Sequence, residues 1–322
     1  MRVLVTGASG FVGGRLVPAL TEAGHEVRAL TRCPETYDPP PGVDVVKGDL
    51  LDPPTLEGDF EGVDAAYYLV HSMGSGDDFE ERDRRAAQNF AAAASEAGVE
   101  RVVYLGGLGE DGDDLSPHLR SRREVEQILA GGDYDLTTLR AAVIVGDGSA
   151  SFRMVQQLVK RLSVMVTPKW VSNECQPVAI DDVVAYLVGV LDAPATAGET
   201  YGIGGPDVLT YREMMLRTAR AMGRRQPRIV SVPVLTPELS SLWVGLVTDV
   251  STAVARPLIL GLKNPVVVTD DSIRDHVDVD LTPFDEAVRR ALPDASGGSA
   301  PAGSGDRRRG TPDDPAGGEV EG

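Results

Sequence analysis

A glycine-rich stretch near the amino terminus, T-G-A-S-G-F-V-G at residues 6–13, constrains the fold more than any other part of the sequence. It follows a short apolar run and opens a segment with helical periodicity, which is the setting of a phosphate-binding turn. Gly7 permits a tight turn, Gly10 lets the backbone approach a pyrophosphate, and Gly13 lets the helix pack closely on the strand. The free N–H groups at the start of that helix attract the anion. We therefore predict a dinucleotide site formed by Gly7, Ser9, Gly10, Phe11, Val12 and Gly13; a plain strand–helix turn, which needs fewer glycines, is the alternative.

The alternation of strand and helix continues through the first 150 residues. Apolar runs with strand character lie at 2–6, 26–31, 43–47, 64–70, 101–105 and 136–145, with helical patterns at 11–23 and 79–97 among them. Nearly continuous apolar strands are typical of a parallel sheet that is covered on both faces. The pattern predicts an α/β fold with a Rossmann-type doubly wound parallel sheet, and residues 1–150 form its NAD(P)-binding domain.

After residue 150 the alternation of strands and helices becomes less regular. Residues 151–293 mix helical stretches with an irregular run around T-P-K-W and a strand at 200–203. We expect them to form a smaller C-terminal substrate lobe, with segments that return to the main sheet. Residues 294–322 are rich in Gly, Ser, Pro and Asp and have little to bury, so we expect a disordered tail.

Composition excludes several classes of function. The formal net charge is −18 at pH 7, which argues against nucleic-acid binding because such proteins need basic patches. An acidic surface suits a salt-rich cytoplasm, although drift in a GC-rich genome explains it equally. The chain opens on a strand and lacks an unbroken apolar stretch long enough for a transmembrane helix, so we expect a cytoplasmic protein. No His, Cys or Asp cluster has metal-ligand spacing, so we expect no metal.

The residue that follows the second strand bears on the choice of cofactor. A cofactor with a free 2′-hydroxyl is usually met there by Asp or Glu, but this sequence has Arg32. An arginine suits a 2′-phosphate, so we predict NADP(H) over NAD(H), although Glu35 and Asp38 nearby weaken the signal. After the third strand, Asp49 and Leu50 are predicted to border the adenine, with a plain turn aspartate as the alternative.

Other motifs follow in order: V-R-A-L-T-R (27–32), A-G-V-E-R-V-V-Y-L (97–105), L-R-A-A-V-I-V-G (139–146) and Q-P-V-A-I-D-D-V (176–183). Together with the glycine-rich turn they resemble an atypical short-chain dehydrogenase/reductase over residues 1 to about 290. Within that superfamily the chain is most similar to NmrA-like proteins and to the nucleotide-binding accessory subunit of respiratory complex I. It also resembles a branch described as NAD(P)-binding oxidoreductases or sugar-nucleotide epimerase-like proteins. The resemblance implies an NAD(P) cofactor.

The resemblance also exposes what this sequence lacks. The superfamily's usual chemistry uses a serine after the fifth strand and Tyr-x-x-x-Lys on the next helix, whereas this chain has Gly106-Gly107 and His118-x-x-x-Arg122. We predict that His118 donates a proton, since its ordinary pKa is about 6.5, while Arg122 hydrogen-bonds the ribose or an oxyanion. A helix face without chemistry is the alternative. His71, after the fourth strand, is predicted to contact the nicotinamide ribose or a substrate, with a structural hydrogen bond as the alternative.

Three functions are compatible with these features. The first is an NADPH-dependent reductase of a small organic substrate. The second is a non-catalytic NADP(H)-binding accessory or redox-sensor protein, which the missing serine, tyrosine and lysine favour. In that case the proline-punctuated segment 233–262 would be a docking surface for a protein or a membrane edge. The third is a sugar-nucleotide epimerase, and the absence of the tyrosine and lysine argues most strongly against this function.

Overall fold

A central parallel sheet organises the chain. The computed structural model describes residues 1–72, 78–109, 116–232 and 265–292. Its strands are β1 (Arg2–Thr6), β2 (Glu26–Thr31), β3 (Asp44–Lys47), β4 (Ala65–Tyr68), β5 (Arg101–Gly107), β6 (Asp135–Ala141), β7 (Ile144–Val145), β8 (Val164–Thr167), β9 (Glu174–Cys175), β10 (Val178–Ala179), β11 (Thr200–Ile203), β12 (Leu209–Thr210) and β13 (Arg228–Ser231). Seven of them form the main sheet in the order β11-β6-β5-β4-β1-β2-β3, and every pair is parallel. The predicted Rossmann-type doubly wound sheet is therefore confirmed.

Helices cover both faces of this sheet. The helices are α1 (Gly13–Glu22), α2 (Phe79–Glu96), α3 (Pro117–Leu129), α4 (Ala150–Arg161), α5 (Ile180–Asp192), α6 (Tyr211–Ala221) and α7 (Phe284–Ala291). One apolar core joins the sheet to α1 and α5, and a second joins the opposite face to α2 and α3. Leu4 and Val5 of β1 alternate between these two cores, and both are fully buried. Burial on both faces explains why the strands are nearly continuous apolar runs.

The helix that carries His118 begins where the sequence indicates. Ser116 caps α3: its Oγ accepts a hydrogen bond from the Leu119 N–H at 3.3 Å, and Pro117 occupies the first turn. The N–H groups of the first helical turn have no acceptor within the helix, so a proline there removes no hydrogen bond. Tyr104 of β5 donates its hydroxyl to the Arg122 carbonyl at 3.2 Å and so ties α3 to the sheet. These contacts set the position of one wall of the site.

Residues after 150 serve two parts of the structure. Strand β11 pairs with β6 in the main sheet, and α5 packs against α1. A third core is formed mainly by α4, α6 and α7, with small two-stranded sheets beside it. Residues Met1–Leu292 make one compact unit, so the proposed division at residue 150 stays a prediction.

Two segments differ from their predicted structure. The run 136–145 was expected as one strand, but β6 ends at Ala141 and β7 pairs with β10 in a separate sheet. Residues near T-P-K-W were expected to be irregular, but β8 pairs there with β13 in parallel. Both differences arise because partner strands lie far away in sequence. The predicted tail, 294–322, and the predicted docking segment, 233–262, lie outside the described residues. Among the described residues, no helix has the length and apolarity needed to cross a bilayer.

Candidate functional site

A cleft of about 790 Å³ runs along the carboxyl ends of the main-sheet strands. Residues that follow β1 to β6 all contribute to its lining, which is where ligands bind in doubly wound sheets. The lining includes every residue predicted for the site: Gly7, Ser9, Gly10, Phe11, Val12, Gly13, Arg32, Asp49, Leu50, His71, His118 and Arg122. The fold therefore brings together positions that are up to 115 residues apart in sequence.

The glycine-rich turn leaves no room for side chains at two of its positions. Gly7 has a φ of +71°, and a Cβ on it would lie 2.9 Å from the Leu69 carbonyl oxygen. A Cβ on Gly13 would lie 2.2 Å from the Gly7 carbonyl oxygen. The start of α1 thus packs directly against the turn, and the backbone at this start lines the cleft. The residues present form a cradle that fits a diphosphate.

Phe11 supports this turn from the side. Its ring lies beneath the Arg15 guanidinium, with the guanidinium carbon 4.8 Å from the ring centroid. Arg15 also donates to the carbonyls of Phe11 and Asp147, each at 2.8 Å. A Cβ on Gly148 would lie 3.4 Å from the Phe11 ring. Phe11 therefore packs the turn against the loop that follows β7, in addition to lining the cleft.

Arg32 lies at the opposite end of the cleft from α3. Its side chain is exposed, and among the described residues it has no ion-pair or hydrogen-bond partner, so Glu35 and Asp38 do not neutralise it. Cys33 and Thr36 line the same end. An exposed, unpaired guanidinium beside a dinucleotide cleft is suited to a phosphate group.

Asp49, in the turn after β3, makes a structural hydrogen bond and also lines the cleft. Its Oδ1 accepts the Leu51 N–H at 2.9 Å, which is the structural alternative considered from sequence. Asp49 and Leu50 nevertheless line the cleft. Asn89 of α2 donates to the Leu50 carbonyl at 2.6 Å and holds the turn in place. The adenine role of both residues stays a prediction.

The end of β5 is tightly packed at the position of the usual serine. A Cβ on Gly107 would lie 3.0 Å from the Leu119 side chain, because α3 packs closely on the strand. Tyr68 and Tyr104 are fully buried below the cleft and do not line it. Burial raises the pKa of both hydroxyls. Neither tyrosine can take the place of the missing Tyr-x-x-x-Lys.

His71, His118 and Arg122 form a basic cluster at this end of the cleft. His118 is half-buried in the cleft wall, and His71 beside it is more exposed. This burial, together with the positive charge of Arg122, lowers the pKa of His118 to about 3. Burial, Arg122 and then His118 lower the pKa of His71 to about 3 as well. The sequence predicts an ordinary pKa near 6.5 for His118, whereas its surroundings lower this pKa, so the imidazole is uncharged at neutral pH.

Asp83 of α2 connects the two segments that carry these histidines. Its Oδ1 accepts the Ser72 N–H at 2.6 Å, next to His71. Its Oδ2 accepts the Ser121 hydroxyl at 3.2 Å, between His118 and Arg122 on α3. Asp83 is 5% exposed and Ser121 2% exposed. Sequence reasoning missed Asp83, because E-R-D-R-R has the appearance of a solvated helix face.

We predict that Asp83→Ala destabilises the protein. The substitution leaves a part-buried donor on Ser72 and a buried donor on Ser121 without an acceptor, which costs about 2–4 kcal/mol in the free energy of unfolding. Urea denaturation measures this change. Gln88→Ala, at an exposed position of the same helix, is the control and should change the free energy by less than about 0.5 kcal/mol. Equal stability of the two variants would contradict the role of Asp83 as a tether.

Other residues of the cleft were not singled out from sequence. They include Thr31, Leu69, Arg82, Ser149 and Ser151. Thr31 and Leu69 lie at or directly after strand ends, so the sequence could have indicated them. The orientation of Arg82 depends instead on how α2 packs. In the part of the chain that the structure describes, no group of three or more His, Cys, Asp or Glu could hold a metal ion.

Comparison with known proteins agrees with this geometry. The family of NAD(P)H-binding proteins matches residues 7–173. The 2-alkyl-3-oxoalkanoate reductase of Stenotrophomonas maltophilia is 31% identical over 263 residues, which cover 71% of this chain and 77% of the relative. Subunit 9 of the NADH dehydrogenase [ubiquinone] 1 alpha subcomplex of Arabidopsis thaliana is 26% identical, covering 87% of this chain and 73% of the relative.

A solved structure shows the same fold. The triphenylmethane reductase of Citrobacter sp., complexed with NADP(H), has a TM-score of 0.71 and 22% identity, and the match covers 91% of this chain and 100% of that chain. Strand order, the glycine-rich turn and the family match together confirm the resemblance stated from sequence. The chain belongs to the NAD(P)H-binding family and is an atypical member of the short-chain dehydrogenase/reductase superfamily.

Proposed function

We propose that this protein is an NADPH-dependent reductase that converts a carbonyl group of a small organic substrate to an alcohol. The observation that carries the proposal is the single cleft that holds the glycine-rich turn at its centre, Arg32 at one end and His118 with Arg122 at the other. A binding protein needs the turn, but it has no need of a half-buried imidazole and a guanidinium without a carboxylate partner beside the end of β5.

The chain's own residues have distinct tasks in this reaction. NADPH, when bound, supplies the hydride that adds to the carbonyl carbon. Arg122 is placed to stabilise the negative charge that develops on the carbonyl oxygen. His118 is placed to take a proton from solvent and give it to that oxygen, because the developing negative charge offsets the desolvation and the Arg122 charge that keep the free imidazole neutral. In the reverse direction, the neutral imidazole accepts the proton from the alcohol.

A relative supports the choice of a carbonyl group. The Stenotrophomonas maltophilia protein is named for the reduction of a 2-alkyl-3-oxoalkanoate. We infer a substrate of the same general class, an oxo compound small enough for the part of the cleft beside His118. The test is NADPH oxidation, followed by absorbance at 340 nm, with a panel of 3-oxo acids, their esters, simple ketones and enones. Steady oxidation with an oxo compound supports the proposal.

Arg32 supports a preference for NADPH over NADH. We predict that Arg32→Ser weakens NADPH binding roughly 10- to 100-fold, since charged hydrogen bonds contribute about 1.5–3 kcal/mol. NADH binding should change less than twofold, because NADH has no 2′-phosphate. Fluorescence titration with each coenzyme measures both affinities. Arg85→Ala, at an exposed position of α2 outside the cleft, is the control. A parallel fall in both affinities would refute the assignment of Arg32.

The accessory function is a second candidate, because a specific observation favours it. The end of β5 lacks the usual serine and is tightly packed against Leu119, and the Arabidopsis thaliana relative is named as a subunit of a larger complex. On this alternative, NADPH binds but is not oxidised by any oxo compound, and His118→Gln leaves every measured property unchanged. Tight binding without turnover across the panel would therefore favour the accessory function over the reductase.

A further inference from the structure

Two arginines in the wall of the cleft have no acidic partner. Arg82 of α2 and Arg122 of α3 both line the cleft. Among the described residues, neither makes an ion pair with a carboxylate. The Nε of Arg82 is shielded from solvent and has no hydrogen-bond acceptor in the described part of the chain. A buried donor of this kind costs free energy until an acceptor arrives, so its presence points to a ligand.

Two neighbouring arginines on the same helices are paired with carboxylates. Arg84 bonds to Glu124 at 2.6 Å and also to Glu81. Arg123 bonds to Glu126 at 3.1 Å. With 49 acidic and 31 basic residues in the chain, a carboxylate is easily found for a surface arginine. Arg85 of α2 also lacks a carboxylate partner among the described residues, but it is exposed to solvent, whereas Arg82 and Arg122 lack one in the wall of the cleft.

The position of this pair separates it from the phosphates of the cofactor. The glycine-rich turn follows β1 and Arg32 follows β2, so the phosphate-binding groups lie on the β1–β2 side. Arg122 instead packs beside Gly107 at the end of β5. Strand β5 is two strands from β1 and three from β2, which corresponds to about 10 Å and 14 Å. Arg82 belongs to the same end, because the adjacent Asp83 bonds to Ser72.

The charge of this pair also acts on its neighbours. The Arg122 guanidinium lowers the pKa of both His71 and His118, as an uncompensated positive charge does. An anionic group at this end of the cleft would compensate that charge. It would also make the histidines easier to protonate.

We propose that the substrate carries an anionic oxygen group, a carboxylate or a phosphate, and that Arg82 and Arg122 bind it beside the reacting carbonyl. This inference rests on the proposed reductase function and names the substrate class for it. Guanidinium groups are suited to both anions, because their planar N–H groups match pairs of oxygens. The arginines thus select anionic oxo compounds over neutral ones of the same shape.

The test compares charged and neutral probes of matched shape. The probes are 3-oxooctanoate with its methyl ester and dihydroxyacetone phosphate with dihydroxyacetone. Titration calorimetry on the full chain saturated with NADP⁺ measures binding without any turnover. We expect one charged probe to bind about 10- to 100-fold more tightly than its neutral counterpart, and the pair that shows the difference identifies carboxylate or phosphate.

Variants connect this preference to the two arginines. Arg82→Ala should reduce the preference for the charged probe to threefold or less, whereas Arg85→Ala, one turn away and exposed outside the cleft, should preserve it. Arg82→Lys should restore part of the preference through its charge. NADPH affinity, measured by fluorescence titration, should stay within twofold of the original value in all three variants, because these side chains lie away from the coenzyme phosphates.

Two results would overturn the inference. One is equal binding of charged and neutral probes by the unmodified protein. The other is a loss of NADPH affinity in Arg82→Ala, which would assign Arg82 to the coenzyme. The proposed function fails separately: selective, arginine-dependent binding of a charged probe without NADPH oxidation by any oxo compound would retain the anion site and reject the reductase.

Discussion

Replacing Gly13 with alanine is expected to weaken NADPH binding roughly 30- to 140-fold. The added Cβ would lie 2.2 Å from the Gly7 carbonyl oxygen and 2.8 Å from the Ala8 Cα. Both are backbone atoms that cannot rotate away, so the turn and the start of α1 must separate. Strain of this kind costs about 2–3 kcal/mol, and it displaces the N–H groups that face the diphosphate. Fluorescence titration with NADPH measures the loss.

Gly14→Ala is the matched control for this change. A Cβ on Gly14 would lie 3.8 Å from the Ala8 carbonyl oxygen, which is an ordinary contact. Alanine is also favoured over glycine inside a helix by about 1 kcal/mol, so this variant should bind NADPH normally and be slightly more stable. If Gly13→Ala and Gly14→Ala bind NADPH equally well, the close packing of turn and helix is not what forms the site.

Replacing His118 with glutamine is expected to lower the rate of substrate reduction about 10²- to 10⁴-fold, which is the range for loss of a general acid. Glutamine has a similar volume and can still hydrogen-bond, but it cannot transfer a proton at this rate. NADPH binding should remain within about threefold of the original value, because the phosphate-binding groups are at the β1–β2 side of the cleft. Stopped-flow measurement of NADPH oxidation at 340 nm separates this chemical step from binding.

The pH dependence distinguishes proton donation from a structural role. The pKa of free His118 is lowered to about 3, so across the neutral range the protonated fraction falls tenfold with each unit rise in pH. For reduction, kcat/KM should therefore fall as the pH rises from 6 to 9, and His118→Gln should lose this dependence. His276→Gln, at an exposed position outside the cleft, is the control. An unchanged pH profile in His118→Gln would exclude the histidine as the donor.

Much of the fold is predictable because its signals are local. Apolar runs correctly placed β1 to β5, and glycine spacing correctly placed the start of α1. The break after Ala141 was missed, since the apolar run continues while the pairing partner changes from β5 and β11 to β10. Strand β8 was missed for the same reason. Pairing between distant segments leaves no trace in the periodicity of either one.

The residues of the candidate site likewise include some that the sequence could predict and some that it could not. Gly7, Arg32 and His71 were predictable because residues after parallel strands meet at one edge of the sheet. Arg82 and Asp83 were not, because both lie on a helix rich in charged residues, where only the packing of α2 on α3 decides which charges turn inward. The low pKa of His118 depends on the same packing, so the sequence alone suggested an imidazole that titrates near neutral pH.

A crystal structure of the protein with NADPH tests the central claim most directly. The account predicts the diphosphate at the backbone N–H groups of the glycine-rich turn, the 2′-phosphate within hydrogen-bond distance of Arg32, and the nicotinamide ring beside His118 and Arg122. It would be contradicted by a coenzyme bound in the reverse direction, with the adenine beside His118, or by NADPH bound outside this cleft.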